Sequence, residues 1–331
     1  MNRLEEKKLV NENLAAGNVK SKKEILKNQN FLLFLTIVAI LVSVGIAQPK
    51  FATFGNIINL FQTVSITGII ALGMSMVITT GNIDLSVATM VSFIACFTAY
   101  FVKEGVLNDV TALPFGLVMG LGCGVLNGLL ASRTRAESFI ITLATMMMFQ
   151  GGALLAANGN VVTIGQTFSW FGTFKMGLIP IQIVIFLVLA LVVFFVMKYT
   201  KYGRRVYAVG GNSEAAFLAG INVRRHKFLV FVVSGLMCSI SAMIVLSRLS
   251  AANPNMAVGY EMESITACVA GGVSLMGGRG NTLGCFLGIM LMGIISNSLN
   301  LLMVPIFYHK IIIGIVLTVA VVLRTGRSVN Q

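Results

Sequence analysis

Apolar residues in this chain are gathered into long stretches rather than alternating with polar ones, and polar residues survive mainly in the breaks between them. About 20 consecutive apolar residues let an α-helix cross the hydrocarbon core of a bilayer. Ten stretches approach that length: residues 31–47, 57–79, 85–102, 112–131, 139–157, 179–197, 228–246, 264–275, 282–304 and 307–323. The eighth is too short to span alone and predicts a broken or tilted helix. The pattern therefore predicts an all-α, polytopic transmembrane helical bundle of about ten spans. A polar basic tail over 1–30 precedes one transmembrane domain over 31–323, and a short polar tail over 324–331 follows it. That first tail is too long and too polar for the n-region of a cleavable signal peptide, so the first run reads as an uncleaved span.

Composition sharpens this picture by exclusion. Of 331 residues, 56% are hydrophobic and only 11% charged, against roughly 25% charged in soluble domains. A water-soluble protein is excluded. The net charge of +13 raises nucleic acid as a partner, but the positions of the 24 basic residues argue otherwise. With the N-terminus in the cytoplasm, 19 fall on cytoplasmic segments, including seven in the tail and seven from Lys198 to Lys227. Only Lys50, Lys103, Lys175, Arg248 and Lys310 fall outside. Such asymmetry follows the positive-inside rule and predicts an even number of spans with both termini cytoplasmic. The basic residues flank membrane spans, so the expected surroundings are membrane lipid and not nucleic acid.

Cys96, Cys123, Cys238, Cys268 and Cys285 all lie in apolar stretches without a CxxC pair, and His226 and His309 stand apart from any ligand spacing. No metal site and no cofactor are expected. Nor does any nucleophile pair with a histidine, so the chain is not expected to be an enzyme. Gly116, Gly120, Gly122, Gly124 and Gly128 form a small-residue run of the kind that lets helices approach closely in lipid. It is expected to serve packing within one subunit first, and a subunit interface second.

Polar residues beside apolar spans mark the places of interest, because their desolvation is costly. Asp84 lies with Asn82 and Ser86 between two spans almost without a loop. It reads either as a cap on the following helix or as part of a gate or solute path. The longest internal polar segment, 198–227, contains an Asn212–Ser213 start, helix formers and a Gly220 stop. A two-turn cytoplasmic helix fits, and its apolar Phe217, Leu218 and Ile221 would need a partner to cover them. The turn from Gly271 to Gly280 allows unusual backbone angles and close approach, yet it lacks the GxxxxGK[ST] spacing of a phosphate-binding loop. On the opposite side, Arg248, Asn253, Tyr260 and Glu261 belong to a polar loop suited to turn formation or to meeting a solute or a docking protein.

Taken together, the stretches Gly81–Val87, Tyr202–Asn212, Glu214–Val223, Arg248–Pro254 with Gly259–Glu261, Gly271–Gly280 and Asn297–Leu302 resemble the membrane permease of bacterial ABC sugar importers of the ribose type. The similarity runs in order through nearly everything after Phe31. Asn82 and Ala88 stand where that family usually has glycine, and Ser296-Asn297-Ser298 replaces its Asn-Asn-Gly. The resemblance implies a permease subunit in the bacterial inner membrane that forms the path for ribose or a related monosaccharide. It also implies a separate sugar ABC ATPase, an extracytoplasmic sugar-binding protein, and a second permease subunit, identical or not. Asn212, Glu214, Ala215, Ala216 and Gly220 would form the ATPase contact. Asp84, Asn82, Ser86, Asn297 and Asn300 are the candidates for path or gate, and Arg248, Asn253, Tyr260 and Glu261 for the binding-protein side. The alternative is a proton- or cation-coupled secondary transporter using Asp84, Glu261 or Glu263. Against it, nine of the eleven acidic residues lie in predicted loops or tails.

Overall fold

The computed structural model describes residues 29–134 and 136–328, so residues 1–28 of the predicted basic tail, Arg135 and the last three residues lie outside the described part. Ten apolar helices match the ten predicted runs in order: α1 (Gln29–Ala47), α2 (Phe54–Thr79), α3 (Val87–Lys103), α4 (Ala112–Arg133), α5 (Ser138–Ala157), α7 (Ile181–Tyr199), α10 (Val223–Leu249), α11 (Tyr260–Ala270), α12 (Thr282–Leu301) and α13 (Ile306–Ser328). Between them lie the short α6 (Trp170–Thr173) and two helices of the internal polar segment, α8 (Lys201–Gly211) and α9 (Ser213–Leu218). Among the described residues, seven helices, namely α1, α2, α4, α5, α7, α10 and α12, are long and apolar enough to cross a membrane by length and composition.

Several boundaries differ from the sequence pattern for local reasons. The eighth helix begins four residues early, because Glu261 and Glu263 sit in its first turn, where the helix dipole favours acids although hydropathy does not. It stops at Ala270 because Gly272 takes φ of 90°. Helix α13 continues to Ser328, so the polar tail expected from 324 starts inside a helix. The fold is not purely helical. Strands β1 (Val162–Thr163) and β4 (Ala251–Ala252) pair antiparallel, and β2 (Lys175–Met176) pairs with β3 (Ile179–Pro180).

Helices α2 and α10 form the buried centre, with 78% and 72% of their spanning windows enclosed, whereas α1 has 6% enclosed and lies at the rim. The 27 residues of α10 rise about 40 Å at 1.5 Å each, enough to cross the hydrocarbon core and both interfaces. Helix α4 docks on α10 through glycines spaced four apart, which share one helix face. A β-carbon on Gly120 would come within 2.6 Å of the Gly235 carbonyl oxygen, and one on Gly124 within 2.7 Å of that of Phe231. The reciprocal position is just as tight, since a β-carbon on Gly235 would meet the Gly120 carbonyl oxygen at 2.3 Å. Gly116 and Gly128 continue the face against Met243 and Phe228, but Gly122 meets nothing within 4 Å. The run thus packs two helices of one chain, and Gly122 falls outside that contact.

Hydrogen bonds tie the interhelical segments into two opposite ends. At one end, Gly278 N–H donates to the Thr79 carbonyl at 2.9 Å, and Ile83 N–H donates to Ser138 Oγ at 3.0 Å. At the other, Ile164 N–H donates to Ser250 O at 2.9 Å, Trp170 Nε1 to Asp109 O at 3.1 Å, and Phe168 N–H to the Asp109 carboxylate. The first end carries α8 and α9, and the second carries the two strand pairs.

Candidate functional site

The chain between α2 and α3 leaves the helical path for seven residues while staying inside the bundle. Non-helical backbone at that depth needs partners from protein, because lipid provides none. Helix α5 supplies them. Ser138 Oγ accepts from Ile83 N–H, and Thr142 Oγ1 accepts from Leu85 N–H at 3.1 Å and donates to Ile83 O at 3.2 Å. Gly81, with φ of 75°, starts the break, and Asn82 Nδ2 donates to Thr80 Oγ1 at 2.8 Å and to Thr80 O at 3.1 Å.

Asp84 is fully buried in this break. Its Oδ1 accepts from Ser86 N–H at 3.0 Å and from Ser86 Oγ at 2.6 Å, and Asn127 Nδ2 of α4 donates to Ser86 Oγ at 2.7 Å. Asn127 and Ser234 of α10 face the carboxylate as well. Among the described residues, Asp84 Oδ2, Asn127 Oδ1 and Ser234 Oγ are buried without a hydrogen-bond partner. The capping expectation fails in its strict form, because the N-cap of α3 is Ser86 and, among the described residues, no side-chain cap hydrogen bond is made there. Asp84 instead fixes the N-cap residue Ser86 from two positions before it. Asn127 and Ser234, which complete the cluster, sit mid-span among apolar neighbours, and no local pattern marks them out.

Beside the first turns of α3 a cleft of about 550 Å³ runs toward the other end. Ala88, Thr89 and Ser92 of α3 form one wall, Met147, Gln150 and Gly151 of α5 another, and Asn255, Val258 and Glu261 its mouth. Gln150 Nε2 donates to Asn255 Oδ1 at 3.0 Å and to Pro254 O at 3.3 Å, while Glu261 Oε2 accepts from Gly259 N–H at 3.1 Å. The lining is mostly apolar, from Met147, Leu154 and Val258 among others, with amide, hydroxyl and carboxylate groups interspersed, a mixture common to small-molecule sites. Of the residues singled out in the sequence, Glu261 lines this cleft, whereas Asp84, Asn82 and Ser86 are buried in the break and do not line it. Thr89, Ser92 and Gln150 were not foreseen. Ala88, one of the two departures from the usual glycines, lies on the wall itself.

The remaining candidates sit elsewhere. Asn297 exchanges two amide hydrogen bonds of 3.0 Å with Asn56, near the strand-bearing end, and Asn300 is exposed. Neither joins the Asp84 cluster. Arg248 is exposed, Asn253 Oδ1 accepts from Asn255 N–H at 2.8 Å, and Tyr260 is half-buried at the start of α11. Cys268 and Cys285, isolated in sequence, lie with sulfurs 3.7 Å apart, and all five cysteines are buried and free.

At the opposite end, α9 forms as its residues predict but spans six residues rather than two full turns. Asn212 Oδ1 caps it by accepting from Glu214 N–H at 3.0 Å and Ala215 N–H at 2.9 Å, and Gly220, with φ of 78°, closes it. Phe217 and Leu218 are 70% and 80% exposed, whereas Ala216 is buried within the chain. A groove of about 820 Å³ runs beside the helix past Glu214, Phe217, Gly220 and Ile221. The preceding α8 was not legible as a helix. Its Val206 and Val209 are buried, and its Gly210 and Gly211 press against Thr79 and Gly278, so that a β-carbon on Gly277 would meet the backbone of both Gly81 and Gly210 within 2.8 Å. Three backbone segments therefore meet where only glycine fits, linking α8 and α9 to the break that holds Asp84. Tyr202 stacks on His226 with ring centres 5.6 Å apart. Burial pushes its hydroxyl up to about 12, so it brings no charge to the joint.

Comparison with known proteins agrees with this arrangement. The family described as "Branched-chain amino acid transport system / permease component" matches residues 56–321. The ribose import permease protein RbsC of Bacillus subtilis (strain 168) is 40% identical over 299 residues, covering 89% of this chain and 92% of the relative. Its counterpart in Escherichia coli (strain K12) is 34% identical over 313 residues, covering 93% and 96%. The L-arabinose ABC transporter permease protein AraH of Azospirillum brasilense is 37% identical over 305 residues, covering 91% and 87%. No solved structure matches. The chain thus belongs to this family of transport-system permease components, in the branch that holds the ribose import permeases.

Proposed function

We propose that this chain is the membrane-spanning subunit of an ATP-driven sugar importer and that the cleft above Asp84 is its half of the path for a monosaccharide such as ribose. The observation that carries the reading is the cleft, which sets Thr89, Ser92, Gln150, Asn255 and Glu261 around a volume of about 550 Å³. Relatives named for ribose, allose and arabinose support a pentose or hexose as the solute. The branched-chain amino acid in the family's description suits this lining less well, because its charged ends would need a cation that the cleft wall lacks.

In this reading the chain crosses the bacterial inner membrane ten times, with the short α11 as a broken eighth crossing and α8 and α9 on the cytoplasmic side. The hydrogen bonds between interhelical segments support such alternation, and Arg133, Lys198, Lys201, Arg204, Arg205, Arg224, Arg225, Lys227 and Arg279 gather at the α9 end. A separate ATPase docks over Phe217 and Leu218, and a binding protein meets the end holding Arg248, Asn253, Tyr260 and Glu261. A second permease subunit completes the path. Movement of α9 reaches the break through the glycine joint and the Gly278 to Thr79 hydrogen bond, and α2 and α3 then rotate about Gly81. ATP hydrolysis takes place on the partner chain.

A cation-coupled mechanism draws on one observation, the buried carboxylate of Asp84 with an unpartnered oxygen. It ranks second because the carboxylate is held by Ser86 near one end of the bundle rather than at mid-depth, where coupling ions are usually bound. The test of the path is Gln150→Ala, which removes the wall amide and leaves α5 intact. Sugar uptake is expected to fall at least tenfold with unchanged binding-protein and ATPase association. Unaltered uptake and selectivity would place the path elsewhere.

A further inference from the structure

The α9 end holds a second concave feature that the transport path does not use. Arg133, in the last turn of α4, and Arg224 and Arg225, in the first turn of α10, surround a cavity of about 670 Å³ with Ser132, Asn222, Leu129 and Phe228. The three arginines come from segments some 90 residues apart in the chain. Among the described residues, none of their guanidinium groups has a hydrogen bond or ion pair. Among the described residues, no acidic side chain lines the cavity, and none lies in the first turn of α10. Helix stability does not explain the pair at 224 and 225, because cations there oppose the helix dipole. Membrane orientation alone would be served equally by charges scattered over the loops, without a shared cavity.

The lining is amphipathic. Leu129 and Phe228 are half-buried, and Leu130 beside them is 37% exposed. The arginines lie at the helix ends, with the apolar side chains on the spans themselves. A planar guanidinium matches a phosphate oxygen pair better than any other cationic side chain, and basic pockets between helix ends on the cytoplasmic side are suited to lipid headgroups. We propose that this cavity binds the phosphate headgroup of an anionic phospholipid, with Arg133, Arg224 and Arg225 on the phosphate and Leu129 and Phe228 along the first acyl carbons. The bound lipid would hold the α4 and α10 ends together next to the groove of α9, whose wall also includes Arg224.

The site requires only that the bundle lies in a membrane, and it stands or falls separately from the sugar path. The test uses the full-length permease purified in detergent, with native mass spectrometry of adducts formed with phosphatidylglycerol and with phosphatidylcholine of the same chains. Retention of phosphatidylglycerol is expected to exceed that of phosphatidylcholine. It should fall roughly 25-fold in the Arg133→Gln, Arg225→Gln double variant, about fivefold per charge removed. The corresponding Lys variants should recover part of the loss, and unfolding in lipid-free detergent should change little. Equal retention of the two lipids, or an undiminished double variant, would overturn the proposal. So would displacement of the lipid by excess inorganic phosphate, which would mark a free-anion site. Displacement by the partner ATPase with no lipid preference would assign the arginines to protein docking instead.

Discussion

Replacement of Asp84 separates a structural role from a functional one, because the two substitutions Asp84→Asn and Asp84→Ala remove different things. The carboxylate accepts two hydrogen bonds from Ser86, each worth roughly 1.5–3 kcal/mol to a charged acceptor. Against that gain stands the desolvation of a buried carboxylate, several kcal/mol when no cation compensates it. Oδ2 has no hydrogen-bond partner among the described residues, so the terms nearly cancel. Asn in place of Asp keeps the oxygen that Ser86 uses, drops the charge, and presents N–H groups beside Ser234, whose Oγ is buried and without a hydrogen-bond partner. Asp84→Asn should therefore unfold at the wild-type temperature or above it. Asp84→Ala leaves the buried Ser86 N–H without an acceptor, a loss of roughly 1–3 kcal/mol relative to the Asn variant. Thermal unfolding in one detergent, followed by intrinsic fluorescence, measures the order, and uptake in the reconstituted transporter measures the consequence. The account expects both variants to fold and uptake to fall in both, more steeply in Ala. An Asn variant clearly less stable than the wild type would refute the reasoning, since the carboxylate would then be stabilised by a charge partner. Normal uptake in both would leave Asp84 a purely local fastening.

The helix contact of α4 with α10 gives a second expectation: Gly120→Leu drives a side chain into the Gly235 carbonyl and should destabilise by about 1–3 kcal/mol or more. Gly122→Leu, facing open space, should leave the unfolding temperature within error. At the docking end, Phe217→Ser with Leu218→Ser should reduce co-purification of the ATPase at unchanged stability, since both side chains are exposed. Ala216→Glu should lower stability and association together, because Ala216 is buried within the chain, and an equally stable Ala216→Glu variant would contradict that packing.

Much of the architecture could be read from the sequence because hydrophobic length is a one-dimensional property. Ten runs became ten helices in order, and the Asn212 cap and Gly220 stop placed α9 correctly. What could not be read depends on which faces meet. Asp84, Asn127 and Ser234 are separated by long apolar spans, and only the close packing of α4 on α10 brings them together. Gln150 looks like any polar residue near a span end until the fold turns it toward Asn255. Helix α8 escaped because its polar residues hide a face carrying Val206 and Val209, and a hydropathy reading averages over faces. Ala216, which the resemblance places in the ATPase contact, is buried against the chain itself, as one side of a six-residue helix must be.

The central claim is that a sugar crosses this subunit through the cleft and is driven from the α9 end by ATP on a partner chain. It is tested most directly in proteoliposomes containing the permease, its ATPase and its binding protein, with orientation scored by labelling a cysteine placed at Ser213. Labelled ribose should cross only when ATP is present on the side where Ser213 labels and the binding protein is on the other, and a protonophore should have no effect. Uptake that persists without the ATPase and collapses with the proton gradient would contradict the account.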